Sequence, residues 1–402
     1  MKKLNISRKA DFIYTVLACA GGMAIFAIVV NAFSTLLPAI IATYGINMTQ
    51  VSYMSVADNF GQSVAMFAVT FWGDKVDKRK VIGIGAFVYG IMYLCIGLIP
   101  PFMLMLALRL FSGMCGILLD SLTSSYLADV FGERRSTALV ITHMVYSAGS
   151  TVAPLIAVGL LNSGFTWNAS YTLFGSIATV IGLFFLALIF LFKSPLKAEH
   201  SPVRKTNHSI PYGSIFANRR VIGGLLYSFF FSGCFYFLTL LPTYLTRRND
   251  TVFPLAFCSL LITIYSIGGL LSGLYVNAVP RIMKREKFIA LMGFMSAILT
   301  ILVMQFESRA AWIIAIIING TAVGGCYPLK FILLTDEYPE YSATVIGAST
   351  LAGALGMIVF SYIAGRIADL VSLDSAILFT QLCAVVACIC LTICYLKKRR
   401  TE

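Results

Sequence analysis

Five ionisable side chains, Asp58, Arg109, Asp120, His143 and Lys330, stand inside stretches that are otherwise almost wholly apolar. A charge in hydrocarbon is costly unless paired or reached by water, so each is a candidate for chemistry. Asp120 precedes Asp129 by nine residues, about 13 Å along a helix axis. A carboxylate so far from the end of its segment can take up and release a proton as its surroundings change, as a proton carrier must. It can equally serve as a buried hydrogen-bond acceptor for Ser or Thr on a neighbouring helix. Lys330 shares a helical face with Tyr327, three residues earlier. It can pair with an anionic substrate or with Asp120. Alternatively its stem snorkels toward the interface, since Asp336 is six residues away. Asp58 and Arg109 lie at similar depth in their segments and are expected to form an ion pair that is structural or gating; Gln62, at i+4 from Asp58, extends that polar face. His143 titrates near neutrality, which suits a relay with Asp120, although a lone histidine on an apolar helix also serves as a packing residue. Asn31, Ser34, Thr35, Gln62, Asn319 and Tyr327 supply hydrogen bonds for a hydroxyl-rich solute, and Phe33, Tyr236 and Phe237 can stack on a sugar ring or simply face lipid.

The elements that must position these residues follow from composition. Of 402 residues, 59% are apolar and 12% charged, and mean hydropathy is +0.87. A soluble domain is about 45–50% apolar and about 25% charged, so most of this chain belongs in lipid. Apolar runs at 13–42, 49–73, 80–99, 101–129, 138–162, 170–192, 221–245, 252–279, 288–306, 309–334, 342–366 and 375–396 make twelve spans. Each approaches the roughly 20 residues that cross the hydrocarbon layer. Without water to satisfy the backbone, the spans must be helices.

Twenty-four basic residues fall on the side of the two termini; only Arg247, Arg248, Arg309 and Arg366 fall on the other. The positive-inside rule then puts both termini in the cytoplasm, and the plasma (inner) membrane is the expected location. The same topology accounts for the net charge of +13 without nucleic acid, because the basic residues are scattered through short loops. No cleavable signal peptide is expected, since the first apolar run is too long for one. The ten cysteines lie within spans and read as reduced packing residues. No metal-ligand spacing, nucleophile–base arrangement or phosphate-binding Gly-rich loop is present, so neither a cofactor, an enzymatic activity nor ATP is expected. No filter-like repeat points to a channel.

The phrase FSTLLPAII at 33–41 returns as FLTLLPTYL at 237–245, an offset of 204. Gly73 and Asp77 after span 2 correspond to Gly273 and Asn277 after span 8, and Asp129 after span 4 to Asp336 after span 10. The chain therefore reads as two six-helix halves, 1–192 and 221–402, joined by a cytoplasmic linker at 193–220 that holds Pro202, Pro211 and six basic residues. Duplicated halves place a solute site near the midplane and alternate its access by rocking. Pro38 and Pro242 are expected to bend spans 1 and 7 at matching heights.

Several motifs resemble the major facilitator superfamily. GDKVDKRKV after span 2 has the Gly-to-Asp spacing and basic cluster of that superfamily's inter-helix signature at Gly73, Asp77, Lys78, Arg79 and Lys80, with its second Gly missing; RLFSG, from Arg109, matches its Arg-x-x-x-Gly element. Physically, such a Gly admits close helix approach, while the Asp caps a neighbouring helix or pairs with Arg to latch one conformation. HMVYSAGSTVAP places His143, Tyr146, Gly149, Ala153 and Pro154 at a spacing similar to that of fucose-permease-type sugar:proton symporters. Asp120 and the aromatic WNASY entry to span 6 (Trp167–Tyr171) fit the same branch, as do CYPLK and AGALG in spans 10 and 11. One position departs: those permeases carry an acid where this chain has Ser34. The span-5 pattern also resembles the Gly-and-Pro element of antiporters, which leaves efflux open.

The expectation is an all-α integral membrane protein with the twelve-helix major facilitator fold, acting as a monomer on protons and a small solute. Asp120, Lys330, Tyr327, His143, Asn31, Ser34, Gln62 and Asn319 are candidates for proton or solute binding. Gly73, Asp77, Lys78, Arg79, Asp58, Arg109, Asp129 and Pro154 are candidates for conformational control. Proton-coupled import of a sugar-like solute, proton-antiport export of amphiphiles and organic-anion transport remain the open readings.

Overall fold

The computed structural model describes residues 4–5, 7–72, 77–131, 135–193, 212–275, 278–338 and 341–396. The described residues contain twelve long helices: α1 (Arg8–Tyr44), α2 (Met48–Trp72), α3 (Lys78–Gly97), α4 (Phe102–Phe131), α5 (Arg135–Asn162), α6 (Trp167–Leu191), α7 (Arg219–Arg248), α8 (Leu255–Tyr275), α9 (Arg285–Val303), α10 (Arg309–Glu337), α11 (Ser342–Leu370) and α12 (Leu373–Leu396). Short helices at Tyr212–Ala217 and Val279–Ile282 precede α7 and α9, and Leu4–Asn5 pairs in parallel with Phe192–Lys193. Eleven of the long helices are long and apolar enough to cross a membrane. The exception, α2, spans 25 residues but carries Asp58, Asn59, Gln50 and Gln62. The described part of α8 runs to Tyr275, and a separate turn with Pro280 near its start covers Val279–Ile282.

The chain forms two compact units, Met1–Phe33 with Phe60–Ser209, and Ser34–Asn59 with Ile210–Glu402. In the first, α3 and α6 meet backbone to backbone. A Cβ on Gly90 would lie 2.4 Å from the Thr179 nitrogen, and one on Gly182 would lie 2.3 Å from the Phe87 nitrogen. Small residues are what permit helices to approach so closely in lipid. The approach aligns a buried aromatic column of Tyr89, Tyr93, Tyr171 and Trp167, with ring centroids 4.9, 5.3 and 5.8 Å apart in succession. Arg79 at the start of α3 donates to Asp11 of α1 at 2.8 Å, both side chains being buried. Asp77 caps its own helix by accepting from the Lys80 N–H at 3.3 Å. Arg79 is turned to Asp11, so in the described contacts Asp77 serves as a local cap.

In the second unit α7 lies against α11 and α12. All ten cysteines are free, and three of the four in α12 act as the small side chains that glycines receive. Gly223 abuts Cys394, Gly233 abuts Cys383, and Gly293 of α9 abuts Cys388. Arg220 pairs with Glu337 and Arg285 with Asp336, tying the starts of α7 and α9 to the end of α10. The last three turns of α1, from Ser34, and α2 as far as Asn59 also belong to this unit. The first four N–H groups of α2 are all satisfied. Asn47 and Gln50 form a reciprocal capping box at 2.9 and 3.0 Å. The Val51 N–H reaches the Asn47 carbonyl, and Asp369 of α11 accepts from Met48 at 2.8 Å and Thr49 at 2.6 Å. Gly365, one helical turn before Asp369, lets α11 approach the Met48 carbonyl. Tyr362 stacks on Tyr53, centroids 6.1 Å apart.

Candidate functional site

Gly149 sets the geometry of the first unit's polar cluster. A Cβ there would lie 2.7 Å from the Ala24 carbonyl oxygen and 2.9 Å from the Ala27 Cβ, so only glycine brings α5 this close to α1. One residue on, the Ser150 hydroxyl accepts from the Asn31 side-chain amide at 2.9 Å. The same amide donates to the Ala27 carbonyl at 2.8 Å. Tyr146, one turn before Ser150, lies close to Asn31 and Ser150 and in the field of Asp120. Asp120 is half-buried on α4. One turn earlier, Gly116 lets α4 close against Phe26 and Tyr89, rings that flank the cluster. The result is an amide, two hydroxyls and a carboxylate from three helices beside an aromatic wall. These are groups for binding a polar, uncharged solute and for handling a proton. Asn31 and Asp120 both lie near Tyr146. Ser150 and Tyr146 as ligands were not singled out by the sequence, although their i,i+4 spacing on the helix that carries Gly149 was the available signal.

Arg109 is 3% exposed. Its guanidinium lies 4.4 Å over the Phe33 ring and its Nη1 is 3.5 Å from the Tyr93 hydroxyl, so it joins the aromatic column. Asp58 is half-buried and belongs to the other unit. Gln62 is half-buried on α2, and Pro154 is buried on α5 next to Ala153. Lys78 opens α3, and exposed Lys80 lies 3.5 Å from Asp77.

In the second unit Lys330 is 6% exposed on α10, its ammonium 4.8 Å from the Phe331 ring centre. Ser34 is buried. Asn319 is buried and donates to Thr300 of α9 at 2.9 Å, which gives it a helix-tying role. The side chains of His143, Tyr327 and Asp129, and the whole of Gly73, lie outside the described residues. Among the described residues no group of His, Cys, Asp or Glu is arranged to hold a metal ion.

Comparison with known proteins agrees with this architecture. A sequence model of the Major Facilitator Superfamily matches residues 19–361. Solved structures with a similar fold include the nucleoside transporter NupG, at TM-score 0.76 and 13% identity over 96% of this chain and 100% of that one. A D-xylose-proton symporter matches at TM-score 0.75 and 13% identity, covering 94% and 96%. A bacterial homolog of the human lysosomal transporter Spinster, in an inward-facing and occupied conformation, matches at 0.73 and 14%, covering 97% and 96%.

Proposed function

The chain belongs to the major facilitator superfamily, a family of multi-pass membrane transporters rather than enzymes, and from that premise we propose that it imports a small sugar-like solute together with protons. The observation that carries this reading is the cluster of Asn31, Tyr146 and Ser150 beside Asp120. Neutral hydrogen-bonding groups next to an aromatic wall suit sugar hydroxyls, and the adjacent carboxylate couples their occupancy to a proton. Asp120 is the proton site in this reading, with His143 as its relay. Asn31, Tyr146 and Ser150 bind solute from one half and Tyr327 from the other. Ser34 and Gln62 extend the polar lining. The branch is the fucose-permease-like one, which the His143-to-Pro154 pattern resembles. A D-xylose-proton symporter shares the fold.

The halves 1–192 and 221–402, joined by 193–220, rock about the site, and Gly73, Asp77, Arg79, Asp58, Arg109 and Asp129 set which conformation is held. The protein works as a monomer in the plasma membrane with both termini in the cytoplasm. The distribution of basic residues supports that orientation.

A second reading, organic-anion transport, is favoured by one observation, the buried ammonium of Lys330 in α10. Purified protein in liposomes with a trapped pH dye separates the readings. Lumenal acidification on adding a hexose or deoxyhexose, lost in Asp120→Asn, is the result expected for symport. Response to small carboxylates alone, lost in Lys330→Gln, establishes the anion reading instead. Proton exit on adding a lipophilic cation makes the protein an exporter and overturns both.

A further inference from the structure

A groove of about 400 Å³ lies in the second unit between α9, α10 and the turn that precedes α9. Its walls are apolar: Val279 and Ile282 from the turn, Phe288, Met292 and Met295 from α9, and Ile317 and Ile318 from α10. Tyr275 closes one end, its ring 5.6 Å from Phe288 and its hydroxyl donating to the Thr321 carbonyl, so the pocket's one large polar group is already engaged. Nothing in this wall can recognise a polar solute. An elongated apolar group fits it, and Phe288 to Met295 gives about 10 Å of helix to lie against.

The mouth has the opposite character. The segment RIMKREK at 281–287 opens onto the groove and contains four cations and one acid. Arg285 is taken by Asp336, and Glu286 lies within electrostatic range of Arg220 and Tyr395. Arg281, Lys284 and Lys287 are exposed, and among the described residues no carboxylate pairs with them. Lys284 and Lys287 lie on the α9 face that continues into Phe288, Met292 and Met295, with charge at the helix start and apolar side chains below it. Arg281 adjoins Ile282, which lines the groove.

An amphiphile with an anionic head and an apolar tail is the ligand such a pattern recognises, and the surrounding bilayer is its source. We infer that the groove binds one anionic phospholipid, with an acyl chain between α9 and α10 and its phosphate at Arg281, Lys284 and Lys287. This site is separate from the solute cluster of the first unit and does not depend on the transport reading.

The test uses the full-length protein in a mild detergent, with bound lipid counted by native mass spectrometry during titration with phosphatidylglycerol, phosphatidylcholine or inorganic phosphate. One retained phosphatidylglycerol is expected, preferred over phosphatidylcholine by on the order of a hundredfold, as three phosphate-facing cations imply. The triple change Arg281→Gln, Lys284→Gln and Lys287→Gln should abolish that preference. Ile318→Trp, at a partly exposed position on the groove wall, should expel both lipids while leaving the cations intact. Unchanged phosphatidylglycerol binding in either variant overturns the proposal. Displacement of the lipid by inorganic phosphate at equal concentration overturns it too, by making the loop a free-anion site.

Discussion

The two units are built on the same helix crossings and fill them with different chemistry. In the first, a Cβ on Gly61 of α2 would meet the Leu110 carbonyl oxygen and the Met114 nitrogen of α4. In the second, a Cβ on Gly268 of α8 would meet the Ile317 carbonyl oxygen and the Thr321 nitrogen of α10. All three pairs of positions differ by 207 residues. Gly149 against Ala24 has its counterpart in Gly356 against Phe229, with offsets of 207 and 205. Backbone meeting backbone tolerates no side chain, so duplication has kept these glycines in register. The polar residues beside them were free to diverge. Asn31, by the 204 offset of the repeated phrase in its helix, and Ser150 and Asp120, by the 207 offset, correspond to Phe235, Met357 and Tyr327. Lys330 corresponds to Thr123. The scaffold is symmetric, while the chemistry divides into a carboxylate half and an ammonium half.

The comparison can be broken most forcefully at the charged helix starts. Arg79→Gln leaves Asp11 buried without its guanidinium, and a loss of about 3–5 kcal/mol is expected, read as a large drop in unfolding temperature of the purified protein. Next come the crossings. Gly61→Ala and Gly268→Ala should each cost about 1–3 kcal/mol. Gly61 should be the worse, since its contact would be 2.0 Å against 2.8 Å, and Gly159→Ala, with open space around it, should be silent. Equal stability of Gly61→Ala and Gly159→Ala would refute the shared-crossing account.

A finer distinction separates hydrogen bonds that hold the scaffold from those at the candidate site. Ser228 and Ser349 bond at 2.7 Å between α7 and α11. Ser228→Ala and Ser150→Ala should each cost about 1 kcal/mol in stability. Only Ser150→Ala should also raise the solute KM in the liposome assay. A matching KM change in Ser228→Ala would erase the division of roles. The smallest effect belongs to Arg285→Gln, whose partner Asp336 is exposed; a change below about 1 kcal/mol is expected, which vanishes at high salt.

Much of this scaffold was legible in advance. The twelve apolar runs predict the twelve helices to within a few residues at most ends, because span length is dictated by bilayer thickness. The recurrence of FSTLLPAII anticipates the duplication that the Gly61 and Gly268 crossings display. The cysteines are packing residues, as their placement suggests, but the glycines that receive them were not foreseeable. A helix that is apolar all round does not announce which face meets protein and which meets lipid. For the same reason the Asn31–Ser150 bond was unread, since 119 positions separate its partners. Asp77, read as a cap for a neighbouring helix or a partner for an arginine, is seen capping its own helix. The local cap was available to it at no cost in chain geometry, and Arg79 found Asp11 instead.

Asp369 carries a consequence for how the protein is made. Its two acceptors serve N–H groups that are 320 and 321 residues earlier in the chain. At roughly 5–20 residues per second, a ribosome needs about 16–64 s to travel that distance. During that interval the first turn of α2 is already outside the ribosome, with Met48 and Thr49 lacking their final acceptor. Asn47 and Gln50 protect only the next donor and the cap itself. Until α11 arrives, that end of α2, the one long helix among the described residues not apolar enough to rank as a membrane span, must stay where water or headgroups can serve it. Its seating in the second unit is therefore among the last events of assembly.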